Sequence, residues 1–374
     1  MEASGQPPTL ATVVCPFAGA EKRDADGHAV TRECETCPGA PKLKVFTCMH
    51  TARHPDEVTV NDCQTCDYRP RDTSKAKALL LTNNLCPGDV LCMTAAIYSL
   101  HRAHPGKFTT AVRTTCDAIF EHNPDVVPPT PEAEALEMNY PAVHQSNQRA
   151  IHQIAGYTEF LESVLNLRIP LATNRPLLYL SRAERGWMNQ VHEMTKKNQK
   201  YWGVNAGHKR DYSAKFYPWY QEVVDRLQGR ILFAQIGKLE HVHRPLRGVI
   251  NLLDRTDDRQ FIRLVANSQG VLCGLTFAMH VAAALQKPCV AIAGGREPRT
   301  WNAYPLQSLL STVGQLSCCR HDACWKSRTV ALGDNEPSDS SLCEQPVPTD
   351  PSSPRCMAMI EPETVATEIL RYQA

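Results

Sequence analysis

The chain has almost no charge of one sign to spare. Its 374 residues carry 40 Lys and Arg against 39 Asp and Glu, a formal net charge of +1. That balance offers no electrostatic attraction for nucleic acid or an anionic bilayer, so neither is expected as a partner. No apolar run approaches the roughly 20 residues of a membrane span. The start, MEASGQPPTLATVVCPF, lacks both a basic opening and an apolar centre, so no secretory leader is expected and a cytoplasmic location is. No internal repeat is present. What remains is a chain 43% hydrophobic and 21% charged, a globular composition long enough for two or three domains. Its 16 cysteines, in a reducing compartment, read as metal ligands or buried thiols before they read as disulfides.

The cysteines fall into two clusters. Residues 1–75 form a separate cysteine-rich, zinc-ribbon-like unit with two CxxC knuckles, Cys34–Cys37 and Cys63–Cys66. Each knuckle can offer two thiolates to one tetrahedral ion, and two knuckles complete a four-cysteine site. Cys15, Cys48, His50 and His54 are spare ligands, so the set stays open. KLKVFTC and EVTVNDC read as short strands feeding the knuckles. A core this small needs a staple. The second cluster, Cys318, Cys319, Cys324, Cys343 and Cys356, surrounds the polar loop GDNEPSDSS and reads as a metal-binding finger over 317–357.

Between the clusters the pattern alternates strand and helix. In 269–295, QGVLCGLTFAMHVAAALQKPCVAIAGG, a strand breaks at Gly274 and a helix opens at Thr276, a natural N-cap. The helix stops at Lys287-Pro288, and a second strand ends in Gly294-Gly295. So short a unit is a right-handed crossover with a parallel pair, its helix N-terminus a place for phosphate. Residues 78–82 read as a strand and 89–104 as a helix. Asp89, where strand passes to helix, is either an N-cap or a ligand group at the carboxyl edge of the sheet. Less patterned sequence follows: a short helix is expected over 132–138, a helix over 155–165, a strand over 177–180 and a helix over 182–196. His144, His152 and His192 pair with no carboxylate at helical spacing and read as ordinary polar residues. Strands are then expected at 201–205, 230–235 and 249–252, with helices over 219–227 and from 257. The expected fold class is α/β, with two parallel-sheet domains over 76–198 and 199–316, and a terminal helix over 358–374.

Three stretches, in order, resemble the lipopolysaccharide heptosyltransferases, family nine of the glycosyltransferases. LLLTNNLCPGDVLCMTAAIYSLHRAHPG (79–106) is similar to that family's opening strand, Gly-Asp and helix. NAGHKRDYSAKFYP (205–218) is similar to its Gly-rich loop followed by Lys and an aromatic-Pro. The 270–295 stretch is similar to its donor-site strand and helix. The resemblance spans roughly 77–310 and implies a GT-B fold, two Rossmann-like domains facing across a cleft. It implies Asp89 as general base toward an acceptor hydroxyl. It implies donor contacts at Gly207, Lys209, Lys215, Gly274, Thr276, Phe277, Met279 and His280, with Lys215 and Lys209 competing for the phosphates. Leu275 and Phe277 stand where the family has Asp and Gly. The finger is similar to the four-cysteine iron finger of autotransporter heptosyltransferases, with Cys318 or Cys319 as the first ligand and zinc or iron as the metal.

The function so implied is inverting transfer of a sugar, a heptose among the candidates, from a nucleotide-diphosphate donor to a saccharide or protein acceptor. The cysteine metals are then structural. The alternative is a metal-stabilised binding or assembly protein on an inactive transferase scaffold, which the residues at 275 and 277 favour. The sequence does not set the oligomeric state.

Overall fold

The computed structural model describes residues 73–138 and 147–373, together with short pieces between 18 and 58 (18–21, 23–25, 29, 31–32, 43–44, 46–48 and 57–58). Among those pieces, β1 (Ala18–Glu21), β4 (Phe46–Cys48) and β5 (Glu57–Val58) form an antiparallel sheet. A second antiparallel pair joins β2 (Thr31–Arg32) to β3 (Leu43–Lys44). The strands expected before Cys48 and Cys63 are thus present in part. The proposed ligands Cys34, Cys37, Cys63 and Cys66 lie outside the described residues.

The first α/β unit is a parallel three-stranded sheet. Strand β6 (Lys77–Asn83) sits between β7 (Phe108–Thr114) and β8 (Glu134–Glu137). Helix α1 (Pro87–Ala103) connects β6 to β7 and packs on α2 (Gln153–Leu165). Three expectations fail here. Glu134–Glu137 is a strand, not a helix, because pairing with Leu79–Thr82 overrides the helical propensity of EALE. Residues 177–180 join no ladder. They are tied to α1 instead, the Leu177 amide donating to Thr94 Oγ1 at 2.9 Å. The helix expected over 182–196 is two short ones, α3 (Arg182–Arg185) and α4 (Gln190–Thr195), capped by Ser181 and Asn189.

The second unit is a six-stranded parallel sheet. Its strands, in chain order, are β9 (Trp202–Asn205), β10 (Phe233–Gly237), β11 (Ile250–Leu253), β12 (Gly270–Gly274), β13 (Cys289–Gly294) and β14 (Gln307–Ser311). The last of these has no counterpart in the sequence reading. Numbered within the domain, the spatial order is 3-2-1-4-5-6, the doubly wound Rossmann arrangement. Every residue of β9, β12 and β13 is buried, because crossover helices cover both faces of such a sheet. The helices are α5 (Tyr220–Arg226), α6 (Asp258–Asn267, with an Asp257–Gln260 capping box) and α7 (Phe277–Ala284).

Chain order reverses between β9 and β12, which pair in register from Trp202↔Gly270 to Asn205↔Cys273. The loops leaving these neighbours diverge, so a crevice opens beyond their carboxyl ends, the position where ligands bind in such sheets. Helix α1 packs across on α7, and one apolar core runs from Leu79 and Val90 to Val281 and Ala291. That contact sets the first unit against the open end of the second. After β14 come the cysteine finger with its hairpin, β15 (Pro346–Val347) and β16 (Asp350–Pro354), then α8 (Arg355–Ala358) and α9 (Pro362–Arg371). Helix α9 packs on α5 and buries Val365 and Ile369. Among the described residues no helix is long and apolar enough to cross a membrane.

Candidate active site

A cleft of about 540 Å³ occupies the crevice, walled on one side by the start of α1 and on the other by the loops after β9, β12 and β13. Of the expected site residues, Asp89, Gly207, Lys209, Lys215, Thr276, Phe277 and His280 line it. Gly274 and Met279 do not: Gly274 ends β12 inside the sheet, and Met279 is fully buried in the core.

Asp89 is not a helix cap. Cys86 takes the N-cap position and Pro87 follows it, which leaves Asp89 in the first turn, half-buried. Gln153, the first residue of α2, donates from Nε2 to Asp89 Oδ1. A carboxylate in a first turn is favoured by the helix dipole, by roughly 0.3–1 kcal/mol.

The opposite wall carries cations. Lys215 Nζ lies 2.9 Å from Glu297 Oε1 and donates to the Leu275 carbonyl at 3.2 Å. Arg296 also pairs with Glu297, and its guanidinium lies over the rings of Tyr212 (5.1 Å) and Trp325 (5.7 Å). Asn302 Nδ2 donates to the other Glu297 oxygen at 2.8 Å. Burial alone would raise the Glu297 carboxyl, but Lys215 and Arg296 outweigh it and hold the group below the usual carboxylate range. Two cations on one carboxylate leave the wall with positive charge to spare. Lys209 meets the opposite wall, its Nζ 3.0 Å from Cys86 Sγ.

Thr276 stands at the N-cap of α7 but makes no capping hydrogen bond, and its Oγ1 is buried without a partner. A buried hydroxyl left unpaired is costly, and its residue lines the cleft. His280 is held neutral: burial, then the neighbouring His152, pushes its pKa down to about 3. It therefore brings no charge to the cleft. Phe277, where the related family has Gly, stacks on Phe261 with ring centroids 5.6 Å apart, giving the cleft an apolar wall. Gly207 is required by close approach, since a Cβ there would fall 2.2 Å from His243 Nε2.

The sequence reading missed Gln153, Arg296, Glu297, Asn302 and Trp325. Gln153 comes from an unpatterned stretch and carried no signal. Arg296 and Glu297 did: they directly follow Gly294-Gly295 at the carboxyl end of a buried strand, the edge where ligands bind.

The finger reaches the cleft through Trp325. Its amide donates to the Arg296 carbonyl at 3.0 Å, and Arg296 Nε donates to the Lys326 carbonyl at 2.9 Å. Trp325 holds φ at 56°, uncommon for so bulky a side chain. Cys318, Cys324, Cys343 and Cys356 are free thiols, and each lies within electrostatic reach of others in the group. Burial, then the neighbouring sulfurs, pushes Cys318 up to about 11 and Cys356 up to about 12. Four neighbouring thiols, with Arg296 near Cys324 and Lys326 near Cys343, are chemically suited to a soft divalent ion. The sulfurs are not drawn to within 4.8 Å as a group, a condition met among the described residues by Glu121, His122 and Glu184. Cys319 is engaged elsewhere, its thiol donating to the carbonyls of Thr312 and Leu316 at 3.7 and 3.6 Å.

Two parallel-sheet units that meet at a switch-point crevice make a GT-B type fold. The profile of glycosyltransferase family 9 (heptosyltransferase) matches residues 132–327, and the chain belongs to that family. Its reaction class is therefore sugar transfer from a nucleotide-sugar donor. No curated protein matches the chain in sequence. Among solved structures, it is similar to the dodecameric iron-containing heptosyltransferase TibC of enterotoxigenic E. coli, determined with ADP-D-β-D-heptose. The TM-score is 0.55 at 12% identity, covering 89% of this chain and 82% of that one. It is also similar to a family 9 glycosyl transferase of Veillonella parvula, with a TM-score of 0.50 at 12% identity, covering 65% and 88%. At these identities the likeness concerns the fold.

Proposed function

We propose that the protein is an inverting glycosyltransferase. The donor is a nucleotide-diphosphate sugar, with an ADP-linked heptose the first candidate, because TibC was solved with that compound. The acceptor is a saccharide or a protein side chain. The observation that carries this reading is the placement of Asp89 on one wall of the cleft and the Lys215–Glu297–Arg296 group on the other. In this reading 76–198 is the acceptor domain and 199–316 the donor domain.

Asp89 takes the proton from an acceptor hydroxyl as the acceptor oxygen bonds to the anomeric carbon. The bond from that carbon to the diphosphate breaks on the opposite face. General-base assistance of this kind is typically worth 10²–10⁴-fold. Lys215 and Arg296 stabilise the charge that develops on the leaving diphosphate. The Thr276 hydroxyl and the α7 amides supply hydrogen bonds, the helix N-terminus being a natural anion site. Phe277 and Phe261 form the apolar wall that would receive the nucleobase. Lys209 is placed to follow the phosphates once it leaves Cys86.

Cys318, Cys324, Cys343 and Cys356 would hold one iron or zinc ion, which supplies charge neutralisation and a crosslink between finger segments. The residues at 275 and 277 also suit an inactive binding scaffold. Leu275 nevertheless keeps a polar role through its carbonyl, which accepts from Lys215.

The test is thermal unfolding with a panel of nucleotides and nucleotide sugars that includes ADP and ADP-heptose. A ligand at about a hundred times its Kd stabilises the native state by about 2.7 kcal/mol. One responding nucleotide diphosphate names the donor base. No response from folded, metal-loaded protein overturns the transferase reading, and Asp89→Asn separates an enzyme from a binding scaffold by turnover.

A further inference from the structure

Behind Asp89 lies a buried polar chain that crosses from the first domain to the second. Cys92 sits three residues after Asp89 on α1 and is fully buried. Its Sγ lies 3.5 Å from Gln153 Oε1, 3.3 Å from His280 Nδ1 and 3.2 Å from the Tyr304 hydroxyl. Tyr304 and His280 are themselves 2.8 Å apart. Gln153 is 2% exposed, and its amide nitrogen is the end that meets Asp89.

The proton inventory of this chain fixes its direction. An ionised Asp89 only accepts, so Gln153 must turn its NH2 toward it and its carbonyl toward Cys92. That carbonyl needs a donor, and the thiol is the group in reach. Burial keeps Cys92 protonated, its pKa pushed well above the ordinary thiol value. The S–H therefore donates to Gln153 Oε1, while the sulfur lone pairs face Tyr304 and His280. Were the amide flipped, a carbonyl oxygen would face a carboxylate and an NH2 would face the thiol proton.

We propose that Gln153 is a positioning residue for Asp89, and that the Cys92 thiol, seated on Tyr304 and His280 across the domain contact, sets the Gln153 amide in its working orientation. The inference rests on Asp89 as general base and adds what aims it. Because His280 and Tyr304 belong to the donor domain, the aim of Asp89 depends on how the two domains meet. A plain cluster of buried polar groups would need only satisfied hydrogen bonds. A positioning chain needs a particular donor at residue 92.

The test uses the full chain with ADP-heptose as probe and water as the acceptor, reading hydrolytic release of ADP and, separately, ADP affinity. Gln153→Ala and Cys92→Ala should lower kcat about 10–100-fold, as misplacing a catalytic group does, with ADP Kd unchanged within about twofold. Cys92→Ser keeps a donor and should recover most of the loss. Equal rates for Cys92→Ala and Cys92→Ser, or an unchanged kcat in Gln153→Ala, overturn the proposal.

The second measurement needs no turnover and guards against unfolded variants. The Gln153 side-chain amide signal, identified by its loss in Gln153→Leu, should lie downfield in the 15N–1H spectrum of the wild-type protein. It should return to the ordinary region in Asp89→Asn. An ordinary position in the wild type overturns the clamp whatever the rates show. If the signal behaves as expected while Asp89→Asn keeps full turnover, the general-base reading fails and the clamp stands. If Asp89→Asn stops turnover and Gln153→Ala does not, the reverse holds.

Discussion

Gly88 lies face to face with His280 across the domain boundary: a Cβ on Gly88 would sit 2.8 Å from the imidazole Cδ2. The glycine of the Gly-Asp pair is thus explained by the other domain's histidine, which fills the space a side chain would need. Gly88→Ala should force the ring or α1 to move and destabilise the protein by about 1–3 kcal/mol, the usual cost of overpacking. His280→Ala should relieve that cost in the double variant, so the two changes should be strongly non-additive in a thermodynamic cycle. Additive losses would mean that the close approach does not constrain the interface.

Glu297 exposes only 6% of its surface yet meets two cations. On the proposed reading, removing Lys215 takes away a charge-assisted contact to the donor phosphates, and hydrogen bonds to charged groups are worth about 1.5–3 kcal/mol. Lys215→Ala should therefore weaken ADP binding about 10–100-fold while leaving the fold intact, because Arg296 still answers Glu297. Glu297→Ala should act differently. It strands the buried Arg296 beside the partly buried Lys215 and should cost up to about 3–5 kcal/mol of stability. Calorimetric ADP titration and chemical denaturation of both variants would check the contrast. Similar ADP affinity in Lys215→Ala and wild type would remove Lys215 from the donor site.

Acid should unfold this protein early. Burial lowers His152 and His243 to about 4 and His280 to about 3. The folded values lie below the unfolded value of about 6.5, so the unfolded chain takes up protons that the native state refuses. Stability is complete above that unfolded value and declines as pH falls toward 4, by up to about 1.4 kcal/mol per pH unit for each such histidine. His243→Gln, at the wedge between Gly207 and Gly237, should remove one proton's share of the slope. Urea midpoints at pH 7, 6 and 5 would show it; a flat profile for the wild type would contradict the buried neutral histidines.

How much of this was legible beforehand follows from which forces are local. Strand 289–294 could be read because a strand covered on both faces must be apolar throughout. The 3-2-1-4-5-6 order could not, since nothing in Trp202–Asn205 says that its neighbours will be Phe233–Gly237 and Gly270–Gly274. Glu134–Glu137 misled for the same reason: its residues favour helix, and only the distant β6 makes them a strand. The site divides likewise. Asp89 and Thr276 sit at element boundaries that the pattern marks, whereas Lys215 is legible only through the family resemblance. Gln153 becomes visible only when α2 is laid against α1, and Trp325 only when the finger folds back on Arg296.

The finger should matter to the donor site through geometry and not chemistry. Gly294 and Gly295 lie directly under it. A Cβ on Gly295 would meet Cys319 Sγ at 3.0 Å, and one on Gly294 would meet Cys356 Sγ at 3.3 Å. The next residues, Arg296 and Glu297, belong to the cation wall. Loosening the finger should therefore release Arg296 and Trp325 before it unfolds the sheet. Cys343→Ser, on the finger's far segment, should lower bound metal and weaken ADP binding while the parallel sheet keeps its cooperative unfolding. Cys318→Ser should do the same. Cys319→Ser should keep the metal, because that sulfur serves the carbonyls of Thr312 and Leu316. The N-terminal cysteines would add their own ion, so metal is best counted as the difference between each variant and the wild type by elemental mass spectrometry. Loss of metal in Cys319→Ser with retention in Cys318→Ser would reverse the ligand assignment. Loss in Cys343→Ser without any change in ADP affinity would uncouple the finger from the cleft.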